Sequence, residues 1–114
     1  MFRVPHLIQV FVNTRDRSFA SELRRVRNRR GLSQKDVAEL ISLAGDSISC
    51  WEALDFDSKR HRLPTVEHVN ALIEKLELDE PEVVALCKAW FIDTLMKKYN
   101  VVPDTSVAPP ADYP

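Results

Sequence analysis

Apolar positions recur at helical rather than alternating spacing over most of this chain. Between Ser18 and Gly31, the residues Phe19, Leu23 and Val26 fall on one stripe. Ser18 stands as an N-cap, Ser21 and Glu22 occupy the first turn, and Gly31 follows the end, which predicts a first helix. Ser33 opens a second helix, with Asp36 three residues later as a short-side-chain capping box and Val37, Ala38 and Ile41 pointing inward. After "SLAG" a third helix buries Ile48 and Trp51 and leaves Gly45, Asp46, Ser49 and Cys50 on its polar face. Thr65 caps a fourth, whose apolar residues are Val66, Val69, Leu72, Ile73 and Leu76. Asp79 caps a fifth that begins "DEPE", suited to the positive end of the helix dipole and to the missing N–H of proline. This fifth helix runs to about Tyr99 and carries Val83, Val84, Leu86, Cys87, Trp90, Phe91, Leu95 and Met96. That apolar surface is broader than a small core requires, and surplus of this kind meets a partner.

Three stretches depart from the helical pattern. "VPHLIQVFV" is dense in β-branched and apolar residues and ends in the turn-like "NTRDRS", so residues 1–17 are expected to form an extended arm or short strand, packed on the body or paired with a second copy. "ALDFDSKRHRLP" reads as a connection of roughly ten residues, long for a compact domain. The final stretch, "NVVPDTSVAPPADYP", has four prolines and no periodicity, and a disordered tail over residues 100–114 is expected.

Composition agrees with one all-α domain: 45% hydrophobic against 29% charged residues, with glycine used only twice and proline mostly outside the periodic segments. Cys50 and Cys87 lie far apart, and His6, His61 and His68 sit in separate segments. No metal site, cofactor or disulfide framework is expected, and no nucleophile, base and oxyanion donor assemble into an enzyme site. The apolar N-terminus is too brief for a membrane span and lacks the features of a signal peptide, so a cytoplasmic protein is expected. The net charge of −1 conceals an asymmetry. Residues 1–62 hold 12 Lys+Arg against 8 Asp+Glu, and residues 63–114 hold 4 against 9. The basic half includes Arg24, Arg25, Arg27, Arg29 and Arg30 on the first helix, a density that points to a polyanion.

From about Phe19 to Leu78 the chain resembles the lambda-repressor-like, XRE-type (Cro-like) helix-turn-helix family. "LRRVRNRRGLSQKDVAELI", "SISCWE" and "LPTVEHVNALIEKLEL" carry the resemblance, with an ungapped register from Ser33 to Glu52. It implies a five-helix fold, with the helix-turn-helix DNA-binding domain over residues 18–78 and a C-terminal helix over 79–99 that serves the core and possible dimerisation. It further implies that Arg27 and Glu52 form a structural ion pair, and that Gln34 and Lys35 meet DNA phosphates at the start of the second helix. Gly45, Asp46, Ser47, Ser49 and Cys50 face the bases, and Lys59, Arg60 and Arg62 run beside the backbone. The implied function is a dimeric repressor on a two-part double-stranded operator, with the N-terminal arm or Trp90, Phe91 and Leu95 as dimer contacts, no small-molecule ligand and no membrane. Ser42 stands where the turn commonly has glycine, Ala44 where a Ser or Thr caps the third helix, and Leu54 where glycine often ends it. Asp46, Asp55 and Asp57 place negative charge near the expected DNA surface. They support a rival reading, a protein-binding adaptor or anti-regulator on the same scaffold.

Overall fold

The computed structural model describes residues 4–55 and 58–103 and is helical throughout, with no strand among them. Its elements are α1 (Val4–Val12), α2 (Phe19–Arg29), α3 (Gln34–Leu40), α4 (Gly45–Trp51), α5 (Val66–Lys75) and α6 (Glu80–Tyr99). Each start has a local cause. The side chains of Ser18, Ser33, Thr65 and Asp79 accept hydrogen bonds from backbone N–H groups in the first turns of α2, α3, α5 and α6. Ser33 with Asp36, and Asp79 with Glu82, form reciprocal capping boxes. Ala44 begins α4 with no side-chain cap.

Three helix ends share one device. Gly31, Ser42 and Glu77 each adopt positive φ (66°, 60° and 51°). The following residues Leu32, Leu43 and Leu78 donate their N–H groups back to Arg27, Ala38 and Ile73, and pack their side chains on the core. This closes the exposed carbonyls and anchors each exit with a leucine. Asn100, also left-handed, ends α6.

The N-terminal segment is a helix, not the extended arm or strand its composition suggests. Val12 is fully buried against Ile92 and Met96 of α6, and Ile8, one turn earlier, packs on the same cluster with Val101. Docking of this stripe on α6 outweighs the β-propensity of the segment. Gln9 Nε2 also donates to the Val102 carbonyl at 2.8 Å, so the chain just beyond α6 is tied down. The rest of the expected disordered tail, from residue 104, lies outside the described residues.

The main core joins Phe19, Leu23 and Val26 of α2, Val37 and Ala38 of α3, Ile48 and Trp51 of α4, Val69 and Leu72 of α5, then Leu76, and Leu86 and Ala89 of α6. Burial of such side chains contributes roughly 1.5–3 kcal/mol for each large one. α3 packs on α4, while α1 and α2 both pack on α6. Val66 departs from the expected inward pattern and stays exposed.

Candidate nucleic-acid interface

The tight turn between α3 and α4 sets the geometry. Ser42 takes the left-handed conformation usually given to glycine, and Leu43 folds back on the core, so α4 leaves the turn in a fixed direction. Ile48 and Trp51 hold its inner face, and the Trp51 ring lies 5.5 Å from that of His68. Gly45 and Asp46 are exposed, while Ser47, Ser49 and Cys50 are half-buried along the same helix. The residues expected to read bases therefore share one short helix.

Glu52 closes α4 and is buried with no exposure of its side chain. Arg27 Nε and Nη2 each donate to a different Glu52 carboxylate oxygen at 2.8 Å, a two-pronged pair that fixes α2 to the end of α4. The Arg27 pKa rises further above its ordinary value, first because of this hydrogen bond. Arg24 approaches the same carboxylate at 3.5 Å, and Gln34 Nε2 donates to it at 3.1 Å. Gln34 is thus turned toward Glu52, while its neighbour Lys35 is exposed.

A second buried carboxylate collects more arginines. Glu82 accepts from Arg30 at 2.7 Å and from Arg29 at 3.1 Å, and the Arg30 hydrogen bond, ahead of the other causes, lowers its pKa to about 2. Arg25 approaches Glu22 at 3.8 Å. All five arginines of "RRVRNRR" have carboxylate neighbours within the chain; Arg27 and Arg30 are largely committed to them, while Arg24, Arg25 and Arg29 stay 42%, 45% and 48% exposed. Among the described residues Lys35, Lys59 and Arg62 are exposed and take part in no salt bridge, and they join Arg60 as exposed cations of α3 and of the connection after α4; Lys75, Lys97 and Lys98 are exposed as well.

The connection from Trp51 to Val66 is held against α4. Arg62 donates its backbone N–H to the Cys50 carbonyl at 3.2 Å, and Arg60 Nη2 donates to Ser49 Oγ at 2.8 Å. Between them His61 is buried, and burial, followed by the nearby charges of Lys97 and Arg15, pulls its pKa below the ordinary value against an opposing pull from Asp55. Alternation of outward arginines with an inward histidine presents Arg60 and Arg62 to solvent beside α4. Leu54 and Asp55 are also exposed there, whereas Asp57 lies outside the described residues.

The proposed dimer residues separate. Trp90 Nε1 donates to the Pro64 carbonyl at 2.8 Å and its ring packs on the core, bracing α6 against the connection. Phe91 is 46% exposed and meets Phe11 of α1 edge-on at 5.9 Å; Leu95 is half-buried. Another buried carboxylate, Asp93, was not singled out from the sequence. It is fully buried on α6, accepts from the Phe19 N–H at 2.9 Å, and meets Arg15 Nε at 2.9 Å. Burial pushes its pKa up, against the pull of those two partners. Its spacing from Leu86, Ala89 and Met96 put it on the buried stripe, which was the available signal.

A family model described as a helix-turn-helix domain matches residues 18–86, more than half of the chain. The chain belongs to this helix-turn-helix domain family. The match takes in α2 to α5 and the first turns of α6, the elements that carry the core and the proposed readout helix. No curated protein and no solved structure matches it significantly. Among the described residues no helix is long and apolar enough to cross a membrane, and no group of histidines, cysteines and carboxylates could hold a metal ion.

Proposed function

We propose that this helix-turn-helix protein is a sequence-specific DNA-binding transcriptional regulator of the lambda-repressor-like, XRE type, acting as a dimeric repressor. The observation that carries this reading is the exposed start of α4 at Gly45 and Asp46 with the basic connection bonded along that helix, Arg60 to Ser49 and Arg62 to Cys50, within a helix-turn-helix family domain. α4 enters the major groove, its outward residues meet base edges, and the flanking cations neutralise phosphates. A weakly charged readout helix is compatible with this division of labour, because phosphate contacts supply much of the affinity while a few side chains supply the discrimination. Asp46 suits a cytosine amino group and Cys50 a thymine methyl. Dimerisation would use the apolar surface left at Phe91, Val84 and Phe11, which are 46%, 60% and 52% exposed.

Binding of the purified protein to the DNA upstream of its own coding sequence, against a scrambled competitor over a salt series, tests the reading. A specific complex of dimer stoichiometry is expected, with affinity falling steeply as salt rises. One observation favours the rival adaptor reading: internal pairing of the α2 arginines leaves few cations beside the exposed Asp46. If a folded protein shows only weak, non-specific binding to this DNA and to a genomic library, the adaptor reading takes over.

A further inference from the structure

We propose that Arg60, delivered from the connection between α4 and α5, reads a guanine in the major groove and so supplies the long cationic side chain that α4 itself lacks. This inference rests on the DNA-binding reading above and assigns Arg60 a different role from the phosphate contact expected of the connection as a whole. A phosphate-binding arginine needs only to reach the backbone beside the groove. Arg60 instead leans over α4, where its Nη2 donates to Ser49 Oγ at 2.8 Å, on the helix proposed to face the bases.

The placement is built rather than incidental. Ser58 accepts the Arg60 N–H on its hydroxyl at 3.1 Å and the His61 N–H on its carbonyl at 3.0 Å, which closes a tight turn with Lys59 and Arg60 at its centre. His61, 5% exposed, then plugs into the body, and the Arg62 N–H is bonded to Cys50 of α4 at 3.2 Å. The two residues after Arg60 are thereby pinned, one to the core and one to α4, while Arg60 itself remains exposed. Ser49 completes the support. Its hydroxyl donates to the Asp46 carbonyl at 3.0 Å, so the same oxygen is oriented to accept from Arg60. Ser49 thus positions the guanidinium, and the remaining N–H donors of Arg60 stay available for the O6 and N7 acceptors of guanine, a two-pronged match held by the planar geometry of the fork.

The test is selection from a randomised duplex library by the full-length protein and its Arg60→Ala and Arg60→Lys variants, each first checked for a wild-type helical circular dichroism spectrum. The wild-type protein is expected to select a guanine at one position of each half-site, preferred about tenfold or more over other bases. Arg60→Ala loses that preference while the other selected positions persist; Arg60→Lys, which can still donate to guanine from a point charge, keeps it in weaker form. Retention of the whole wild-type preference by Arg60→Ala, with binding weakened equally on all duplexes, overturns the inference and makes Arg60 a phosphate contact. If the folded wild-type protein selects no sequence, the DNA-binding reading itself falls, an outcome separate from the other two.

Discussion

Glu52 is sealed from water, and Arg27 supplies both of its shortest hydrogen bonds. Removing that arginine leaves a buried carboxylate with only the longer contacts of Arg24 and Gln34. Arg27→Met is therefore expected to cost about 3–5 kcal/mol of folding free energy, measured by urea unfolding, and to damage DNA binding only through the fold. His61 gives a second expectation at this scale. Its folded-state pKa lies below that of the unfolded chain, near 6.5, because burial and the charges of Lys97 and Arg15 outweigh Asp55. The unfolded state then binds more protons as pH drops. The His61 contribution is full above about pH 6.5 and is lost as pH falls from there toward the folded-state value. Melting temperature should decline between pH 7 and pH 5, and His61→Gln should flatten that limb while lowering stability at pH 7. The Arg27 and Glu52 pairing was recognisable from the family resemblance. The carboxylates facing the arginine-rich run were not legible, because sequence alone does not reveal that Glu52, Glu82 and Glu22 meet it.

Helix starts were legible because capping side chains act on their own first turns, and Ser18, Ser33, Thr65 and Asp79 do so here. Helix ends were legible at Gly31 and hidden at Ser42 and Glu77, where a non-glycine residue accepts the left-handed conformation because the leucine after it is anchored in the core. The same reasoning gives opposite outcomes for opposite substitutions. Gly31→Ala meets no neighbouring atom within 4 Å, so its cost is backbone strain alone, about 1 kcal/mol. Ser42→Gly relieves similar strain, offset in part by glycine entropy, and should raise stability by roughly 0.5 kcal/mol. Thermal unfolding of the two single variants measures both; equal signs for the pair would contradict this account of the helix ends. α1 was misassigned for a different reason. Its valines and isoleucine suit a strand locally, and only the facing Ile92 and Met96 select the helix.

At the level of the whole molecule, charge and apolar surface are sorted onto different sides of the domain's chemistry. Internal carboxylates hold the α2 arginines, Lys35 and the 58–62 segment carry the free positive charge beside α4, and Phe11, Val84 and Phe91 retain the apolar exposure. The sequence disclosed α4 as a readout candidate through Ile48 and Trp51. It did not disclose that the following connection folds back to place Arg60 on Ser49, since that contact depends on where His61 is buried. The most direct test of the central claim is to map amide chemical shifts of the labelled protein as specific duplex DNA is added. Perturbation concentrated at Gln34 and Lys35, Gly45 to Cys50 and Lys59 to Arg62, with the exposed side of α2 at Arg25 and Arg29 unaffected, is the expected result. Perturbation centred on α2 with α4 unchanged would contradict it.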